Sequence, residues 1–124
     1  MARTLEFYFD YGSPYSYLAD TQVEAVAKRA GGTLARKPML LGGIFKATGN
    51  ASPMTVAQKS TWSAFDLPMW ARHYGVAFNR NPHFPVNTLA LMRGAGRHRS
   101  TAFSSDIIPP CTRRCGSTAA ISMI

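Results

Sequence analysis

Phe7-Tyr-Phe-Asp-Tyr-Gly-Ser-Pro-Tyr-Ser16 is the stretch on which the reading of this chain turns. Leu5, Phe7, Tyr8 and Phe9 form a short, aromatic-rich apolar run, which predicts a strand over Leu5–Asp10 buried on both faces, as in a parallel sheet. Downstream, Leu18, Val23, Val26 and Ala27 follow a helical pattern as far as Ala30. Between the two, Gly12 and Ser13 make the turn. Ser13 suits a helix N-cap, and Pro14 suits the first helical position, where its missing N–H costs nothing. A strand that passes through a tight turn into a helix presents the first helical amides, and the positive end of the helix dipole, to an anion or a thiolate.

The helix is closed by Gly31-Gly32, with Lys28 and Arg29 in the last turn where the dipole favours cations. A second strand is expected over roughly Thr33–Leu41, and Pro38 marks an edge or an irregular exit. Strand, helix and strand make a βαβ unit with a right-handed crossover. Gly42-Gly43, Gly49-Asn50 and Ser52-Pro53 then punctuate a loop-rich segment. Helical signals return over Thr55–Phe65. Asp66 is placed to cap another helix through Met69, Trp70, His73 and Tyr74, with Gly75 as its stop. Trp62 and Trp70 are expected in the core. Asn79–Pro85 reads as extended loop, and Asn87 caps a helix over Thr88–Ala95. The expected architecture is α/β: a βαβ half over residues 1–41 and a helical insertion over residues 42–96. From Arg97 onward 8 of 28 residues are Ser or Thr and four are Arg, with no surviving period, so residues 97–124 read as a loosely ordered or unfolded tail.

At 124 residues the chain is one domain's worth, and its net charge of +8 is scattered. Residues 1–96 hold 10 basic and 5 acidic side chains, and residues 97–124 hold 4 and 1. No basic run is interleaved with aromatics, which argues against nucleic-acid binding and for a basic enzyme that accepts anions. No signal-peptide pattern opens the chain, and no apolar run nears the ~18 residues of a membrane span, so no membrane role and a cytoplasmic setting are expected. Cys111 and Cys115 lack a second ligand pair, which argues against zinc, and a disulfide is not expected in that compartment. His73, His83 and His98 have no metal-ligand spacing.

Thioredoxin-like proteins place a Cys-x-x-Cys pair at the first strand–helix turn; here the frame reads Ser13-Pro14-Tyr15-Ser16. Together with Leu40-Leu-Gly-Gly-Ile-Phe-Lys-Ala-Thr-Gly-Asn50, Asp66-Leu-Pro-Met-Trp-Ala71 and Asn81-Pro-His-Phe-Pro-Val-Asn-Thr88, in that order, residues 4–96 resemble the glutathione-dependent 2-hydroxychromene-2-carboxylate isomerases. These are relatives of the kappa-class glutathione transferases within the DsbA-like thioredoxin superfamily. The resemblance implies a thioredoxin-like fold interrupted by a helical insertion, with glutathione as cofactor. It implies Ser13 as the catalytic residue that hydrogen-bonds the glutathione sulfur, Asn50 and Lys59 as glutathione-binding residues, and Lys46 and Asn50 as substrate-binding residues. The reaction it implies is thiolate addition to the ring-opened form of an unsaturated aromatic pyruvate, bond rotation and thiolate loss. Expected partners are glutathione, a small aromatic carboxylate and a second copy of the chain in a homodimer.

Each of these residues has a plainer reading: Ser13 and Asn87 as caps, Asn50 as a turn residue, Lys46 and Lys59 as solvated lysines. The resemblance stops near Gly94–Gly96. The family's later cis-proline segment, strands and final helix have no counterpart, which reads as a truncation that puts the activity of the lone chain in doubt, with a frameshift or a damaged gene as the source of the tail. Two other readings stand beside the isomerase: a kappa-class glutathione transferase or peroxidase, and a non-catalytic truncated fragment.

Overall fold

The computed structural model describes residues 3–97. Their order is β1 (Arg3–Phe9), α1 (Pro14–Arg29), β2 (Gly32–Pro38), α2 (Leu41–Thr48), a 3-10 turn at Pro53–Thr55, α3 (Ala57–Tyr74) and α4 (Leu89–Arg97). β1 and β2 pair in parallel with Arg3 opposite Gly32 and Phe9 opposite Pro38, so the expected βαβ unit is present. The tail expected over residues 97–124 falls outside the described residues beyond Arg97, as do both cysteines and His98.

β1 is not buried on both faces. Leu5 is 39% exposed and Tyr8 51%, because among the described residues β2 is its single strand neighbour. Its side chains alternate instead, as strand geometry requires. Phe7 and Phe9 stack with ring centroids 6.0 Å apart, and Phe9 is buried. The opposite face is polar. The Thr4 and Thr33 hydroxyls bond at 3.2 Å, Tyr8 donates to Glu6 at 2.9 Å, and Lys37 pairs with Glu6 while lying over the Tyr8 ring. Glu6 sits inside the run that reads as unbroken apolar sequence.

Further expectations change. β2 ends at Pro38, and the Gly42-Gly43 segment is helix α2 rather than loop. Glycine lowers helix propensity by about 1 kcal/mol each, but Asp10 supplies an acceptor to the first amide of α2 from across the fold. The two helices expected on either side of Asp66 are one helix, α3, with Pro68 inside it. The carbonyl that loses its partner to Pro68 belongs to Ala64, and both residues are exposed, so water can satisfy it. Asp66 is no cap: its carboxylate accepts from Trp70 Nε1 at 3.1 Å and from Tyr15 at 3.0 Å.

α3 lies against α1 around Leu18, Leu67 and Ala71, with Tyr17, Tyr74, Val76 and Phe78 packed on that cluster. The Tyr17 hydroxyl closes the same contact by donating to the Ala77 carbonyl at 2.7 Å. Trp62 and Trp70 are not core residues: Trp62 is 64% exposed, and Trp70 is 38% exposed and stacks on Tyr74. The stops expected at Gly31 and Gly75 are glycines at φ near +65°, the left-handed conformation that ends a helix without Cβ strain, and Gly49, which reads as loop punctuation in the sequence, ends α2 in the same conformation.

Candidate functional site

Asp10 ends β1 and is 3% exposed, so its carboxylate must be fully hydrogen-bonded. Oδ1 accepts from the Gly12 amide at 2.8 Å and from the Thr88 hydroxyl at 2.7 Å, and Oδ2 accepts from the Leu41 amide at 2.7 Å. The α2 N-cap, Leu40, has no side-chain acceptor, so Asp10 fills that role. The Tyr11 amide then points at Met92 Sδ of α4 at 3.4 Å. One turn thereby ties the start of α1 to the starts of α2 and α4. Gly12 is needed here: a Cβ on it would meet Thr88 Cγ2 at 3.0 Å and Asp10 Oδ1 at 3.3 Å.

This tie fixes the α1 N-terminus. Ser13 has extended backbone (φ −102°, ψ 112°), and its Oγ accepts from the Ser16 amide at 3.2 Å, as an N-cap should. Its carbonyl takes the Tyr17 amide, and its own amide donates to Asp10 O at 3.0 Å. Pro14 has no N–H. Among the described residues, the Tyr15 amide and the Ser13 hydroxyl at this end have no acceptor, and the buried Tyr11 hydroxyl on the same turn has no hydrogen-bond partner either. The dipole of a 16-residue helix adds positive potential at the same point.

The Ser13 end of α1 opens on a cleft of about 750 Å3, counted with the space open to solvent. Phe45 of α2, Met54 of the 3-10 turn, Leu67 of α3, and Phe78 and Phe84 of the α3–α4 connection give it apolar character. Ser52, Ser63, Asn79 and Asn81 are among its polar residues, and Arg80 is the one permanently charged residue in the lining. Among the described residues no group of three or more His, Cys, Asp or Glu could hold a metal ion. No helix there is long and apolar enough to cross a membrane.

The tyrosines around this end of the fold are held as neutral phenols. Burial raises Tyr15 above its ordinary value near 10, and the hydrogen bond to Asp66 raises it further. Burial also raises Tyr11 and Tyr17; for Tyr11 the Asp20 charge adds to the rise and Arg36 opposes it. A pKa raised in the fold stabilises the fold below the unfolded value and loses that stabilisation as pH climbs through the folded value. Thermal melts are therefore expected to show no loss from these groups up to pH 9 and a steep fall above pH 10, in step with phenolate absorbance. A fall centred below pH 9 would contradict this assignment.

Of the residues singled out in the sequence, Ser13 lines the cleft. Lys46, Asn50 and Lys59 do not; all three are exposed. Lys46 and Asn50 nevertheless neighbour cleft residues in sequence, Phe45 and Ser52. The Asn50 side chain accepts from the Ala51 amide at 2.8 Å, a local turn bond. The Asn87 side chain accepts from the Leu89 amide at 3.0 Å, but it sits one residue before the expected place, since Thr88, whose carbonyl takes the Met92 amide, holds the N-cap position of α4. Two residues went unremarked: Asp10 and Arg80. An acid closing an apolar strand is a signal of a buried, multiply bonded carboxylate. Nothing local marks Arg80, whose place depends on how the α3–α4 connection returns to α1.

The chain is 31% identical over 107 residues to a 2-hydroxychromene-2-carboxylate isomerase of Sphingobium xenophagum, covering 83% of this chain and 55% of that protein. A Pseudomonas putida protein of the same name is 34% identical over 100 residues, 79% of this chain and 47% of that one. Human glutathione S-transferase kappa 1 is 30% identical over 96 residues, 77% of this chain and 41% of that one. The chain thus spans about half the length of the curated relatives it matches. A solved 2-hydroxychromene-2-carboxylate isomerase superposes with a TM-score of 0.58 at 29% identity, over 67% of this chain and 42% of that one. The model of the DSBA-like thioredoxin domain matches residues 4–99, which take in β1, the Ser13 turn, the βαβ pairing and the helices that close the cleft, and the chain belongs to that family.

Proposed function

We propose that this chain carries the thiol-activating site of a cytoplasmic, glutathione-dependent isomerase of the 2-hydroxychromene-2-carboxylate type. The observation that carries the reading is the pair of unpartnered donors at the α1 N-terminus, the Ser13 hydroxyl and the Tyr15 amide, on a cleft with aromatic lining. Positions 13 and 16 of the turn hold serines where the thioredoxin frame has cysteines, so this reading takes the sulfur from a cofactor. Glutathione supplies a nucleophilic thiol whose unperturbed pKa lies near ~8.5.

The fit is chemical. The Ser13 O–H and the Tyr15 N–H are both free to donate to a sulfur that becomes negative, and the helix dipole adds to them. One pKa unit of ionisation corresponds to about 1.4 kcal/mol, well within one charge-assisted hydrogen bond plus a dipole. Lys46, Asn50 and Lys59, on exposed positions of α2, its exit and α3, are assigned to the outer parts of the cofactor and substrate. Phe45, Phe78 and Phe84 exclude water around an aromatic ring.

A kappa-class transferase is the second reading, favoured by the likeness to the human and Caenorhabditis elegans kappa 1 enzymes. The two part on substrate. Purified chain given 2-hydroxychromene-2-carboxylate is expected to isomerise it when reduced glutathione is present and not otherwise, with little conjugation of chlorodinitrobenzene. Conjugation without isomerisation would favour the transferase, and neither activity at millimolar glutathione would leave a non-catalytic fragment.

A further inference from the structure

The cleft has one feature that thiol activation does not use. Arg80 lines it and makes no ion pair or hydrogen bond with any described residue. Three cations among the described residues are committed to ion pairs: Lys28 to Glu24, Arg36 to Asp20, and Lys37 to Glu6. Lys46 and Lys59 lie outside the lining. The backbone that carries Arg80 is pinned. The Asn81 side chain accepts from the His83 amide at 2.8 Å, and the Asn81 carbonyl accepts from the Phe84 amide at 3.2 Å. The flanking Asn79 and Asn81 line the cleft as well, so this segment runs along it.

An uncommitted guanidinium on a fixed base, beside Phe45, Phe78 and Phe84, matches a ligand with a flat apolar body and one anionic end. Guanidinium presents two parallel N–H donors to a carboxylate, a planar fit that ammonium lacks. We infer that Arg80, rather than Lys46, anchors the carboxylate of an aromatic acid in the cleft and so selects acids over neutral aromatics. The inference deepens the isomerase reading and rests on it for the identity of the substrate, but its test does not depend on turnover.

Calorimetric titrations at low ionic strength with trans-cinnamate and its neutral isostere trans-cinnamamide, without glutathione, read the effect directly. The unsubstituted protein is expected to bind cinnamate about tenfold more tightly than the amide, the range of one charge-assisted bond at an exposed site. Arg80→Gln should remove that preference and leave the amide unaffected, while Arg80→Lys should keep part of it. Arg80 is exposed and has no partner to lose, so both variants should melt with the parent. If Arg80→Gln failed to fold, a full preference kept by Arg80→Lys would overturn the bidentate assignment. No preference in the parent, equal loss of both ligands, or an unchanged ratio in Arg80→Gln would overturn the proposal. So would a variant that weakens reduced glutathione but not cinnamate, since the carboxylate would then be the tripeptide's. Cinnamate selection lost with Arg80 while glutathione has no effect would sink the isomerase reading and leave this one standing.

Discussion

Asp10→Leu is expected to leave no cooperatively folded population, and Asp10→Asn to lower stability by about 2–3 kcal/mol in urea melts. The carboxylate is buried, accepts only, and meets three donors from three parts of the chain: the Gly12 amide, the Leu41 amide and the Thr88 hydroxyl. Leucine removes both acceptor oxygens, and with them all three hydrogen bonds, at once. Two backbone amides would be left searching for partners, at about 1–3 kcal/mol for each that finds none. A domain of this size has only about 5–15 kcal/mol in hand. Asparagine keeps one oxygen, but its NH2 must face a donor on one side, so either the α2 start or the Gly12–Thr88 side lets go. The useful control is Asp20→Asn, which breaks the 2.8 Å pair with Arg36 at a part-exposed position. Such pairs are worth about 0–1 kcal/mol. Equal losses from the two asparagine variants would show that Asp10 is not the tie that holds the starts of α1, α2 and α4 together. An exchange experiment adds the location: the Leu41 amide should lose protection in Asp10→Asn before the β1–β2 ladder does.

How much of this was legible in the residues follows from the range of the forces involved. The β1–α1 turn was readable because a cap, a first-turn proline and terminal cations are local features, and Ser13 sits where those features put it. So were the stops at Gly31 and Gly75, set by a conformation only glycine adopts freely. α2 was not readable. Its glycines argue for loop, and the group that stabilises its first turn, the Asp10 carboxylate, lies 31 residues earlier in sequence. Pro68 misled in the same way, because a proline on the exposed side of a long helix loses a bond that water replaces. Glu6 and Tyr8 hid a two-faced strand inside an aromatic run, since apolar composition does not say which face a neighbour will cover. In the cleft, Ser13 could be found from its turn alone. Arg80 and Phe84 enter it only once α3 has packed on α1 through Leu18, Leu67 and Ala71, a contact that no local pattern encodes.

Ser13→Ala is expected to lower glutathione-dependent turnover by about a hundredfold, the scale seen when one preorganised donor to a developing anion is removed. The same variant loses a helix cap, at about 1 kcal/mol, so a fall in activity alone would not separate the two roles of this hydroxyl. Substitutions chosen by hydrogen-bond inventory do. Aspartate accepts from the Ser16 amide as well as serine does, but at neutral pH it has no proton to donate and its charge opposes a thiolate. Ser13→Asp should therefore melt with the parent and turn over as poorly as Ser13→Ala, or worse. Threonine keeps both the acceptor and the O–H, and Ser13→Thr should hold most of the rate. The pH profile gives a further separation that a purely structural role would not move. If the Ser13 hydroxyl and the Tyr15 amide together favour the ionised sulfur, removing the hydroxyl should shift the ascending limb of the rate toward the ~8.5 of an unperturbed thiol. A Ser13→Ala variant slowed only in proportion to its lost folded fraction, with its pH profile unmoved, would assign the serine to capping alone and leave the Tyr15 amide and the dipole as the site's whole contribution to the sulfur.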